Sequence, residues 1–172
     1  MRGEKIILEN KNKITFAEGF EQYRLAIKYK GVGAYVQAIE VLTRTLKELS
    51  CTNSTWNEIH LISVLQDRLA DVYVETNEFE KALYFFKKSL AHIDLLLKHD
   101  NQDSIILYKN QALKVRDMAF LYQALHQHDK AIVYFKKAIA RYELLIKFGG
   151  EGDDEIFFIE RELKILNSKI NR

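Results

Sequence analysis

Proline is absent from the chain, and glycine occurs only 7 times in 172 residues. These are the residues that most often break helices and build tight loops. Their scarcity disfavours a loop-rich or all-β chain and favours long uninterrupted helices. Cys51 is the single cysteine. No internal disulfide framework is possible, which fits a reducing, cytoplasmic compartment. Charge of one sign is also lacking: 26 Lys and Arg against 24 Asp and Glu leave a formal +2. No global field therefore steers the chain to nucleic acid or to a membrane. No apolar run approaches the length needed to cross a bilayer. Ile6-Ile7-Leu8, with charge on both sides, is too short for a secretory signal; export by a machine that reads other signals would leave no such mark. No GxSxG, HExxH, CxxC, P-loop or GxGxxG pattern occurs. Cys51 lacks a neighbouring histidine to activate it as a nucleophile. The chain reads as a non-enzyme with no cofactor and no metal.

What is present is ordinary in amount and ordered in arrangement. Hydrophobic residues make up 48% and charged residues 29%, enough for one domain with a continuous core. The pattern is clearest over residues 66–98. Leu69, Ala70 and Tyr73 recur at helical steps, pause at Glu75-Thr76-Asn77, and resume as Phe79, Ala82, Phe86 and Leu90. That predicts two amphipathic helices folded back across a tight turn, with small Ala70 and Ala82 at the closest approach.

The same pattern occurs three times. Ala38, Ala82 and Ala131 stand 44 and 49 residues apart. Ala26, Tyr29 and Leu42 take the places of Ala70, Tyr73 and Phe86 in the first copy, and Ala119, Tyr122 and Phe135 take them in the third. Self-similarity of this kind marks a repeat protein. The small-residue/Tyr, turn, Ala/Phe spacing resembles the tetratricopeptide repeat family over residues 15–148. Repeats of about 34 residues are usual there. The longer spacing here resembles the long-helix branch that includes kinesin light chains and bacterial peptide-pheromone receptors. The resemblance implies an all-α, right-handed superhelical array of three helical hairpins (15–50, 55–99 and 104–148), preceded by a lead-in (1–14). A linker and capping helix (149–172) follow.

Boundaries follow from local chemistry. The first hairpin turns at Gly31-Val32-Gly33. Thr55 and Glu58 form a capping-box pair, Ser104 caps the third unit, and Gly149-Gly150 suits a left-handed C-terminal cap. Glu151-Gly152-Asp153-Asp154-Glu155 reads as a flexible acidic linker that also places negative charge at the next helix's N-terminus. Ile156, Ile159, Leu163, Leu166 and Ile170 then step by three and four, a stripe for lying along another helix. Two readings of it stand: an end cap, or a homodimerisation helix.

In such arrays the first helices of the units line an inner surface, and this is where partner binding is expected. One residue beyond each core position lie Phe20, Tyr23, Ile27 and Lys30. The second unit gives His60, Val64, Asp67, Asp71 and Val74. The third gives Lys109, Leu113, Arg116, Phe120 and Gln123. A groove of aromatic and aliphatic anchors around a central acidic pair suits a protein or peptide segment with apolar and some basic residues. Alternatively Asp67 and Asp71 pair with Arg24, Lys30, Lys109 or Arg116, making a self-satisfied layer. Family members that clamp a terminal carboxylate use Lys and Asn where this chain has Tyr23, Ile27 and Asp71, so that ligand is disfavoured.

Weaker signals read more simply. Asp67, Asp71 and Glu75 share a helix face, as acid–base or metal-binding carboxylates can, but no further ligands converge at a recognisable spacing. His126 and His128 flank a turn and read as polar turn residues rather than a metal pair. His92 and His99, seven apart, share a helix face by periodicity alone. Lys81, Lys87, Lys88 and Lys98 repeat as Lys130, Lys136, Lys137 and Lys147; without an interleaved stacking platform they read as a solvated outer face, not an RNA site. An interaction module is the function expected, with an obligate assembly subunit as the alternative and an enzyme or RNA binder as a remote one.

Overall fold

The computed structural model describes residues 14–49, 55–99 and 105–170, and builds them into seven helices. These are α1 (Phe16–Gly31), α2 (Tyr35–Leu49), α3 (Trp56–Glu75), α4 (Phe79–His99), α5 (Ile105–Ala124), α6 (His128–Lys147) and α7 (Asp153–Ile170). Ser104, Cys51 and the lead-in triplet Ile6-Ile7-Leu8 lie outside the described residues. α1 with α2, α3 with α4 and α5 with α6 form three hairpins. Each second helix also packs on the next first helix, and α6 on α7. This is a tetratricopeptide-like array closed by a terminal helix, and the extra residues of the long repeats lengthen α3–α6 to 20 or 21 residues each.

Four positions in each hairpin are occupied by small residues. Gly19, Ser63 and Ala112 lie near the start of the first helix, and Ala26, Ala70 and Ala119 near its end. Ala38, Ala82 and Ala131 open the second helix, followed by Thr45, Ser89 and Ala138. All twelve are buried. A Cβ at Gly19 would lie 3.0 Å from Leu49 and 3.1 Å from Leu61, which shows how closely the helices approach. Leu42, Phe86 and Phe135, each at most 1% exposed, fill the space between them.

The turns repeat as faithfully. Gly33, Asn77 and His126 all have left-handed backbone, with φ of 73°, 59° and 56°. After each, a backbone N–H returns to the carbonyl of an equivalent tyrosine: Ala34 to Tyr29 (2.9 Å), Glu78 to Tyr73 (2.8 Å) and Gln127 to Tyr122 (2.8 Å). This closure satisfies carbonyls that a helix end would otherwise leave unpaired. Gly149 (φ 86°) ends α6 in the same way, with Gly150 N–H donating to Leu145 (3.0 Å). Capping boxes start α1 at Thr15/Glu18 and α3 at Thr55/Glu58.

The acidic stretch 151–155 is not a linker throughout, as α7 begins at Asp153. Gly152 is buried against Tyr142, where a Cβ would lie 3.0 Å from the ring. Asp153, Asp154 and Glu155 form the first helical turn, where the helix dipole favours carboxylates. Along α7, Ile159 (0% exposed) and Leu166 (1%) enter the main core, with Ile156 and Leu163 packed beside them. The stripe is used within the chain, as an end cap uses it. A second copy could reach these residues only by displacing α6; Ile170's side chain lies outside the described residues.

Candidate binding face

α1, α3, α5 and α7 contribute to one face, and three of them meet at a pocket of about 340 Å³. Lys30 comes from α1; Asp71, Val74 and Glu75 from α3; Asp117 and Phe120 from α5. Buried Phe86 of α4 closes the back. Apolar surface remains open elsewhere on the face: Phe20 is 44% exposed and borders a separate hollow with Phe16 at the start of α1, Ile27 is 37% exposed, and Phe158, also 37% exposed, lies beside Phe120. Aromatic rings run along the face in pairs, Phe16 with Phe20, Phe20 with Tyr23, and Phe120 with Phe158 at 5.9 Å. Tyr23, Lys30, His60, Val64, Val74, Leu113 and Gln123 are half-buried. At the α3 end His60 stacks against the exposed indole of Trp56 at 5.3 Å, and burial lowers its pKa.

The charges pair with one another, but not through the partners expected. Asp67 pairs with Lys114 of α5 at 2.9 Å and with Arg68 at 3.5 Å. Asp71 accepts from Arg68 at 2.6 Å. Arg116 donates to its neighbour Asp117 at 2.9 Å and to Glu155 of α7 at 2.8 Å. Lys30 stands 3.8 Å from Glu75, and Arg24 turns back to Glu21. Lys114 is 6% exposed, so its link to Asp67 is a buried ion pair between neighbouring hairpins.

Burial and the neighbouring Asp67 push the Asp71 carboxyl up to about 6, although Arg68 and Lys30 oppose the shift. Asp117 is raised by burial against the opposing pull of Arg116. Burial works against the Arg68 cation, yet Asp71 and Asp67 outweigh it and raise its pKa; Glu155 and Asp117 do the same for Arg116. Two of the pocket's carboxylates thus carry charge against the preference of their surroundings.

The stripe expected on α5 divides. Phe120 lines the central pocket, but Arg116 turns to α7. Lys109 and Leu113 instead border a separate pocket of about 450 Å³ with Tyr142, Glu151 and Asp153–Glu155. The cause is the first turn of α7, whose Glu155 takes Arg116 and whose Asp153–Glu155 border that second pocket. Arg68, Lys114, Asp117 and Phe158 belong to this face and escape the periodic reading. Lys114 carried a usable signal, because it replaces the fully buried Leu65 of the preceding unit and a charge there requires a partner.

Asp67, Asp71 and Glu75 are engaged by Lys114, Arg68 and Lys30. Among the described residues no group of three His, Cys, Asp or Glu side chains is placed to hold a metal. His126 and His128 stand edge to face at 6.0 Å on the outer turn. The outer lysines are all exposed, and Lys81 and Lys130 lie over the rings of Tyr73 and Tyr122 at 5.2 and 5.7 Å. Among the described residues no helix is long and apolar enough to cross a membrane.

No family model matches the sequence, and no curated protein matches it. Solved structures do. A point variant of a Podosopora anserina kinesin-light-chain type protein with nearly identical TPR-like repeats superposes with a TM-score of 0.57. The superposition covers 90% of this chain and 76% of that one at 16% identity. Another structure of those repeats covers 92% of this chain and 99% of that one, at 15% identity and a TM-score of 0.39. The first of these likenesses establishes the fold of the array and nothing finer.

Proposed function

We propose that this chain is an interaction module that holds a segment of a partner protein, non-covalently, on the face shared by its first helices. The observation that carries the reading is the open apolar surface of this face, Phe20 and Ile27 on α1 and Phe158 beside half-buried Phe120, which lines the pocket. Open aromatic surface beside fixed charges, on helices held rigid by a packed core, is the composition of a recognition groove. Tyr23, Ile27, Lys30, Val64, Asp71, Val74, Phe120 and Gln123 are its contact residues, joined by Arg68, Asp117 and Phe158. Asp67 and Arg116 act behind them by holding neighbouring helices together. Pairing across α3, α5 and α7 supplies no concentrated positive charge for a terminal carboxylate, so a segment with apolar anchors and basic residues fits better. The composition and single cysteine fit work in the cytoplasm.

The test is affinity capture from source lysate with the wild-type chain beside an Asp71→Lys/Phe120→Ala variant, followed by reconstitution with the purified partner. A partner bound by the wild type and lost by a variant with the same helical content supports the reading. Equal binding by both moves the site to the outer helices or to α7.

A second reading, a subunit of a fixed assembly, has its own observation. Phe157 is 71% and Ile165 40% exposed on α7, although Ile159 and Leu166 of the same helix are buried. A molecular mass that rises with concentration in sedimentation, and falls back in Phe157→Ser, would favour it.

A further inference from the structure

We propose that the central pocket receives one arginine or lysine side chain from an otherwise apolar partner segment, with Asp71 and Asp117 as its counter-charges and Phe120 as its platform. The inference rests on the reading of this face as a partner groove, and it names the chemistry of the residue at the centre.

Charge counting comes first. Five carboxylates, Asp67, Asp71, Glu75, Asp117 and Glu155, are served by four cations, Lys30, Arg68, Lys114 and Arg116. Lys114 is committed to Asp67. Arg68 is divided between Asp67 and Asp71, and Arg116 between Asp117 and Glu155. The cluster is one cation short, and the shortfall falls where Asp71 and Asp117 open on the pocket. Pocket shape matches the missing group. Val74, Phe120 and Leu121 supply apolar wall for an aliphatic stem, and an aromatic face accepts a cation. Lys81, Lys87, Lys88 and Lys98 of α4 and Lys130, Lys136, Lys137 and Lys147 of α6 are exposed on the second helices, so a basic segment is repelled there.

Proton linkage gives the proposal a signature. Asp71 faces Lys30 on α1, Asp67, Arg68 and Glu75 on α3, and Asp117 with Lys114 and Arg116 behind it on α5; Phe86 of α4 is uncharged. With its carboxyl near 6 in the free protein, Asp71 is mostly protonated at pH 5 and mostly ionised at pH 7. A cation that needs the ionised form binds about tenfold more weakly at pH 5 than at pH 7.

The experiment selects displayed random 12-residue peptides on the full chain, with counter-selection on Phe120→Ala. The preferred peptide is then titrated calorimetrically at pH 5 and pH 7 against wild type and Asp71→Asn. Asp71→Asn removes a strained charge and keeps the side-chain shape, so loss of fold does not confuse the result. The expected outcome is one invariant Arg or Lys flanked by apolar residues, with about tenfold weaker binding at pH 5. Asp71→Asn should bind at least tenfold more weakly at pH 7 and lose most of the pH dependence. Phe120-dependent peptides with no fixed basic residue, or unchanged binding by Asp71→Asn, overturn the cation pocket and leave the groove standing. If no selected peptide depends on Phe120, the groove reading falls with it.

Discussion

The second and third hairpins are two versions of one object, offset by 49 residues. Where the two helices of each hairpin meet they agree: Ala70 and Ala119, Tyr73 and Tyr122, Ala82 and Ala131, Phe86 and Phe135 are all buried. On the shared face they diverge. Where α3 has Asp67, Arg68 and Asp71, α5 has Arg116, Asp117 and Phe120. Stacking leaves no freedom at the first set, because each small residue is where two backbones meet. It leaves the second set free, and that is where two carboxylates, Asp71 and Asp117, and an aromatic platform, Phe120, meet at the pocket.

The largest expected effect comes from the one buried position at which the two hairpins differ in charge, Leu65 against Lys114. Lys114→Ala leaves Asp67, 13% exposed, with only the longer 3.5 Å contact to Arg68 and should cost about 3 kcal/mol in urea unfolding. Replacing both partners, Asp67→Leu with Lys114→Leu, should recover most of that loss. A double variant as weak as the single one would mean that the pair is not the cause.

Overpacking tests the agreement rather than the difference. Ala70→Leu and Ala119→Leu each place a large side chain where the helices touch, and each should lose about 2 kcal/mol. Thermal unfolding should show similar losses for the two. A benign Ala119→Leu would show that the third hairpin is looser than its copy.

These interior features were legible in the sequence because burial imposes the three- and four-residue steps, and close backbone approach admits only small side chains. The terminal stripe through Ile159 and Leu166 was legible for the same reason. The charge partners were not. Asp67 meets Lys114, and Arg116 meets Glu155, across helices whose relative rotation no single-helix periodicity encodes. The division of the α5 stripe had the same origin, since only the packing of α7 shows that Arg116 is drawn away from the pocket.

Asp71 should reveal itself through pH. Its carboxyl has an ordinary value of 3.8 and ionises near 6 when folded. Between these values the unfolded chain gives up the proton first, so stability present below about pH 4 is lost as pH rises through 6. Asp71→Asn should therefore be more stable than wild type by about 1–2 kcal/mol at pH 7 and closer to it at pH 4. Denaturant titrations at the two pH values check the sign. A destabilised Asn variant at pH 7 would show that Arg68 fully compensates the buried charge.

The smallest expected effect lies in the turns. Gly33 takes the left-handed backbone without strain, whereas His126 adopts it with a side chain. His126→Gly should gain up to about 1 kcal/mol, visible as a small rise in Tm. No gain would mean that the His126–His128 contact offsets the strain.

The central claim is that the first-helix face is the working surface. It is tested most directly by mapping backbone amide chemical shifts of the full chain as the captured partner segment is added. The account predicts perturbations centred on Asp71, Val74, Asp117 and Phe120, extending to Tyr23 and Phe158 and sparing the outer lysines of α4 and α6. Shifts concentrated on α2, α4 and α6, with Phe120 unmoved, would contradict it.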